Sequence, residues 1–321
     1  MKGQFSLSPE HLPLSGLEKQ DRHRLTFGVE FEFLIANLNK GEQDPSPEDG
    51  RKVYGIDTDD DLDAKIEAGT YTDDYYGKKA LQKAKLDCTL RHIVNTLNGA
   101  GIVAELALDR LDENWKPEPP KGWLVKTDTR MEPPKDTPYS WQKIEVITPA
   151  YYFSSQAIDT VKSVCEILTN AYRLNCNEST GLHVHVGNGT QAYRFETLRN
   201  LYAVLWTFEP VIKKIHPAYR TETNTFCHCL RDGKMALDLS KLDEPVEIAG
   251  LNKILNMKTN QEIYDTTGLS GRGSAYNMNN VIQALKPGKQ EVTKNTFEFR
   301  QHVSTLDPER FVPTVNSSRN F

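Results

Sequence analysis

The stretch TGLHVHVG (180–187) sets His183 and His185 two residues apart, with Leu182, Val184 and Val186 interleaved. Side chains of a strand alternate between its faces, so both imidazoles share one side and the aliphatics the other. Further stretches repeat the pattern. In GVEFEF (28–33), Glu30 and Glu32 share a face opposite Val29, Phe31 and Phe33. In TFEFRQH (296–302), Glu298, Arg300 and His302 share a face opposite Phe297 and Phe299. KIEVITP (143–149) adds Glu145 on the polar side of another strand.

Solvated strand faces ordinarily carry Thr, Ser, Lys and mixed charges, whereas these carry Glu, His and Arg in tight pairs. Two carboxylates on one strand face lie about 7 Å apart. At that distance they repel unless something cationic sits between them. Carboxylate oxygen with imidazole nitrogen suits Mg²⁺, Mn²⁺ or Zn²⁺. An arginine beside such a site would grip an anion such as phosphate in bidentate fashion.

The elements that must position these residues follow from periodicity. Residues 25–36, 102–108, 122–128, 143–149, 180–187 and 295–305 read as strands. Residues 78–98, 154–174 and 193–215 read as helices, the second capped by Ser154 or Ser155 and the third interrupted or kinked at Pro210. Residues 245–286 mix short helical and polar stretches. Strands with one polar and one apolar side favour an antiparallel or mixed sheet with helices on one face, hence one α+β domain. Residues 1–24 read as a loose, poorly ordered leader. Residues 25–321 read as the single domain, with an acidic surface insertion at about 40–77. The chain ends in SSRNF soon after the last strand, where a further helix is expected.

The 321 residues, 38% of them hydrophobic, can bury a sizeable core. A net charge of −5 argues against nucleic acid as a main partner. No apolar run reaches the roughly 18–20 residues that span a bilayer, so no membrane partner is expected. The N-terminus also lacks the apolar stretch of a secretory signal. Five cysteines at irregular spacing make no disulfide framework and point to a reduced, cytoplasmic protein. Cys227-His228-Cys229 lacks a second pair at zinc spacing and reads as structural. DTDDDLD (57–63) fails the EF-hand template, with Leu62 where the turn glycine belongs. There is no P-loop motif, and GLSGRG (268–273) follows no clear strand, so it reads as a loop.

In this order, GVEFEF, WLVKTD (123–128), EVITP (145–149), TGLHVHVG and FEFRQH (297–302) resemble the putative amidoligase family. That family is part of the carboxylate–amine ligase superfamily, with glutamine synthetase and glutamate–cysteine ligase. The likeness runs from about residue 25 to 307. One departure is that Asp128 is followed by Thr129 and Arg130 where the family favours Gly-Ser. The resemblance implies a curved antiparallel or mixed sheet with helices on its convex face, like the glutamine synthetase catalytic domain. It also implies ATP and two or three divalent ions, Mg²⁺ or Mn²⁺, in the concave face.

By the same resemblance, Glu30, Glu32, Glu145 and Glu298 are expected metal ligands. One histidine of the pair is a ligand and the other a substrate or phosphate contact; His183 is favoured as the ligand, with His185 left open. Arg300 is expected to grip the transferred phosphoryl group, and Asp128 is the candidate general base. Arg220 and Arg231 are expected on substrate carboxylate or nucleotide phosphate. The implied activity is ATP-dependent, ADP-forming amide or peptide bond formation through an acyl phosphate. Its substrates would be amino acids, peptides or proteins. Two alternatives use the same residues: a metal-dependent hydrolase, although no H-E-x-x-H is present, and a catalytically inactive nucleotide- or metal-binding relative.

Overall fold

A computed structural model of the chain describes residues 25–39, 41–51, 53–56, 65, 68–72, 74–107, 122–189, 191–222, 227–267, 273–286 and 295–312. Aromatic and β-branched alternation produces the strands. They are β1 (Thr26–Asn39), β2 (Tyr54–Ile56), β3 (Ala104–Leu106), β4 (Trp123–Lys126), β5 (Ser140–Ile147), β6 (Tyr151–Tyr152), β7 (Leu174–Asn175), β8 (Gly181–Gly187), β9 (Tyr276–Asn277) and β10 (Thr296–Val303). All belong to one mixed sheet whose path is β3-β4-β5-β1-β8-β10-β9, with β2, β6 and β7 also pairing with β1. From β4 to β9 along this path every pairing is antiparallel. The parallel pairs are β3 with β4 and β2 with β1. The expected α+β architecture with a mixed sheet is therefore present.

The helices are α1 (Tyr75–Gly99), α2 (Ser155–Ala171), α3 (Phe195–Lys213), α4 (Ala218–Thr221), α5 (Lys234–Leu239), α6 (Val246–Asn256), α7 (Asn260–Thr267) and α8 (Asn279–Ala284). Ser154 caps α2 by accepting the Ala157 N–H at 3.1 Å, as its residue type suggests. Phe27, Val29, Phe31, Phe33 and Ile35 of β1 join Ile93 and Leu97 of α1, Val161 and Leu168 of α2, and Tyr202 and Trp206 of α3 in one core cluster. Each such burial contributes roughly 1.5–3 kcal/mol. The apolar side of the sheet is thus spent on the helices, and its polar side is left for chemistry.

Three expectations change. Helix α3 runs through Pro210 without the interruption that is one of the two readings there. Proline lacks the N–H that would bond the carbonyl four residues back, which is that of Trp206. Arg231 supplies the missing donors, with Nε at 3.0 Å and Nη2 at 2.8 Å from this carbonyl. Its guanidinium lies over the Trp206 ring and also bonds Glu247 at 3.0 Å. Arg231, expected on substrate or nucleotide, is therefore committed to α3 and α6.

Second, β10 contains a register shift: Phe299 lies opposite Val184, but His302 lies opposite Leu182. One extra residue makes a bulge and puts His302 out of phase with Glu298 and Arg300, whose face it was expected to share. Its ring instead meets that of His216 edge-on at 4.8 Å.

Third, part of the acidic insertion is built into the sheet. β2 pairs with the end of β1. Buried Arg173 holds Asp44 at 3.0 Å, the Arg51 carbonyl and the Tyr139 hydroxyl. The leader 1–24, the DTDDDLD run and residues 268–272 of GLSGRG lie outside the described residues. Among the described residues no helix is long and apolar enough to cross a membrane.

Candidate active site

Strand register gathers the ionisable residues. Glu32 lies opposite Glu145, Glu30 opposite His183, and Glu298 opposite His185. Directly opposed residues share a sheet face with Cβ atoms about 4.5–5.5 Å apart. β4 sets Lys126 opposite Glu145, and the turn after it carries Asp128 and Arg130. Glu145, His183, His185, Glu298 and Arg300 are all buried.

Two groups that could hold a metal ion result. Atoms of Glu30, His185 and Glu298 lie within 4.8 Å of one another, as do atoms of Glu32, Asp128 and Glu145. Neighbouring carboxylates of one strand are thus divided between a mixed oxygen–nitrogen group and an oxygen-only group. His183, favoured from the sequence as the ligand, stands between them. Its Nδ1 is 3.3 Å from Glu30 and 3.6 Å from Glu298, and its Nε2 is 3.8 Å from Glu32. His185 lies within the first group, with Nε2 3.0 Å from Glu30 and Nδ1 3.0 Å from the Thr296 hydroxyl.

A supporting layer orients these groups. Asn277 donates to Glu298 at 2.7 Å and Arg300 donates to its other oxygen at 2.5 Å. The Gly181 N–H donates to Glu32 at 2.7 Å. Lys126 lies 3.0 Å from Glu145, and Arg130 lies 2.5 Å from Asp128. Arg220 is buried behind the site and donates to the Arg300 carbonyl at 2.5 Å. Sequence reasoning did not select Lys126, Arg130 or Asn277. The first two flank Asp128 in WLVKTDTR and were open to view, whereas Asn277 sits on a two-residue strand without any periodic signal.

Burial and neighbouring charge shift the carboxyls of the site in different directions. Burial, then the Glu30 carboxylate, push Glu145 up to about 8 in spite of Lys126. Burial also acts to raise Glu298, but the charges of His185 and Arg300 outweigh it and leave that carboxyl below its ordinary value. Burial would raise Asp128 too, yet bonds from Arg130 hold it low. Among the described residues, Oε1 of Glu145 is buried without a partner. A buried, unpartnered acceptor within a carboxylate group fits a hard divalent ion.

A pH dependence follows. The folded protein keeps the Glu145 proton up to about 8, whereas the ordinary carboxyl value is 4.5. The folded state then binds more protons than the unfolded chain between these values, so stability without metal falls as pH rises through that window. Melting temperatures at pH 5 and pH 8 in a chelating buffer should show this fall, and Glu145→Gln should flatten it. An equal fall in the variant would place its origin elsewhere.

The family described as “Putative amidoligase enzyme” matches residues 23–321. No curated protein and no solved structure matches the chain.

Proposed function

The chain belongs to the putative amidoligase enzyme family, and from that premise we propose that it joins a carboxylate to an amine. The γ-phosphoryl group of ATP would pass to the carboxylate, giving ADP and an acyl phosphate, and the amine would then displace inorganic phosphate to form the amide. The substrates would be amino acids, peptides or protein side chains. We read the helix-backed sheet as the curved, glutamine synthetase-like platform that the family resemblance implies.

One observation carries the proposal: five side chains of one sheet face and Asp128 of the adjoining turn fall into two groups that could hold metal ions, with Arg300 bonded to the first. Glu30, His185 and Glu298 would hold one divalent cation. Glu32, Asp128 and Glu145 would hold another, and their all-oxygen set favours Mg²⁺ or Mn²⁺. Bound there, the cations would neutralise the anionic oxygens that phosphoryl transfer crowds together.

The chain's own residues supply the rest. Arg300 keeps a buried Nε without a partner among the described residues, so it retains a donor for a phosphoryl oxygen. Glu298 and Asn277 fix its surroundings, and Arg220 braces its backbone. His183 touches both ligand groups and is assigned to contact the anion shared between them. Asp128, first considered as the base, is held low by Arg130. A carboxylate so stabilised accepts protons weakly, and we assign it to the oxygen-only group instead.

Protein mixed with Mg-ATP and a pool of amino acids and peptides is expected to release ADP only when a carboxylate and an amine are both present. A coupled ADP assay with mass spectrometry of the product tests this. Turnover without nucleotide on one tightly held Zn²⁺ would reassign the site to hydrolysis. Nucleotide binding without turnover on any amine would reassign it to a binding protein.

A further inference from the structure

This inference rests on reading Glu32, Asp128 and Glu145 as a cation site. We infer that Lys126 and Arg130 are exchangeable counter-ions of that site: they neutralise Glu145 and Asp128 until a divalent cation takes those carboxylates, and then turn to a bound polyanion.

The geometry is one-to-one. Lys126 Nζ lies 3.0 Å from Glu145, and Arg130 Nη2 lies 2.5 Å from Asp128. Glu145 is buried and Asp128 partly so, with side-chain exposures of 3% and 10%, whereas both cationic side chains are 39% exposed. The negative ends are therefore fixed in the sheet and its adjoining turn, and the positive ends have room to leave. Arg300 differs. Its side chain is 6% exposed and bonded to a carboxylate that Asn277 also holds, so it stays where it is.

Arg130 reaches both oxygens of Asp128, with Nε 3.1 Å from each, whereas the Lys126–Glu145 pair is incomplete. Lys126 satisfies one oxygen of Glu145, and the other is the buried, unpartnered one. A divalent ion bound at about 2.0–2.6 Å by these oxygens would share them with an ammonium and a guanidinium, and like charges at such range repel strongly. Lys126 and Arg130 yield because their long stems are flexible.

Charge sets the direction in which they turn. With all three carboxylates ionised, the form in which they can hold a metal, they outweigh the two cationic side chains by one negative charge. Adding a divalent ion reverses the sign and frees two cationic side chains beside it. The face then attracts an anion that it would not attract before. Cation and polyphosphate affinities are thereby coupled, and the coupling is reciprocal.

The test uses Mn²⁺ alone, followed by electron paramagnetic resonance, and inorganic triphosphate added under saturating Mn²⁺, followed by calorimetry. The double variant Lys126→Met/Arg130→Met is expected to bind Mn²⁺ alone about fivefold or more tighter than the natural protein. It is expected to bind the Mn-triphosphate complex about fivefold or more weaker. This crossed response is the signature, because a merely structural role would weaken both or change neither. Unchanged or weakened Mn²⁺ binding in the double variant overturns the exchange. Mn²⁺ binding that is insensitive to Glu32→Gln overturns the cation site itself, which is a separate failure. If the double variant does not fold, Lys126→Gln alone carries the same crossed response, and its absence there overturns the inference.

Discussion

Glu30→Gln is expected to lower ADP release by roughly 10³-fold and to raise the melting temperature of the metal-free protein. Glu30 is the hinge of the site. It lies 3.3 Å from His183 and 3.0 Å from His185, and it shares a ligand group with His185 and Glu298. Its charge also helps push Glu145 up. Glutamine keeps the shape and can still accept a hydrogen bond, but removes the charge that would hold a cation. The same removal relieves repulsion among buried carboxylates, a gain of about 0.5–2 kcal/mol. The two readouts move in opposite directions, as they do where a site is kept at the fold's expense. A coupled ADP assay and thermal unfolding in chelator check both. Natural turnover in the variant would remove Glu30 from the chemistry, and a lowered melting temperature would mean that its charge stabilises the metal-free fold.

Gly250→Ala is expected to destabilise the fold by about 3 kcal/mol, the upper end of ordinary overpacking. A Cβ at Gly250 of α6 would stand 2.1 Å from ring carbons of Trp206 and 2.4 Å from its Nε1. The ring has nowhere to go. It is fully buried, its Nε1 donates to the Glu247 carbonyl at 2.9 Å, and the Arg231 guanidinium lies over it. Moving it would also disturb the donors that complete α3 around Pro210. Gly99→Ala is the control. A Cβ there meets nothing within 4 Å and the position is helical, so a gain of about 0.5 kcal/mol is expected. Urea unfolding of the two variants measures the contrast. A loss below about 1 kcal/mol for Gly250→Ala, within the range of an average substitution, would mean that α3 and α6 separate more easily than this packing allows.

Much of the framework was legible because long strands and helices repeat a pattern. β1, β5, β8 and β10 announced themselves by alternation, and α1, α2 and α3 by helical spacing. β2, β6, β7 and β9 did not, since two or three residues hold no period. The bulge that turns His302 away was hidden for a related reason: it is a property of the pairing between β8 and β10, not of β10 alone. The packing contacts of Arg231 were hidden because its guanidinium answers a defect at Pro210, many residues earlier in the chain.

The amino-acid order alone determined which side chains face together along each strand, because alternation is a local consequence of the extended backbone. It therefore named the acids, imidazoles and arginine that line one side of the sheet. Only the tertiary structure decided how they divide: Glu30 with His185 and Glu298, Glu32 with Asp128 and Glu145, and His183 between. That division depends on the register between strands distant in sequence, and a shift of one residue in any pairing would turn a whole set to the other face.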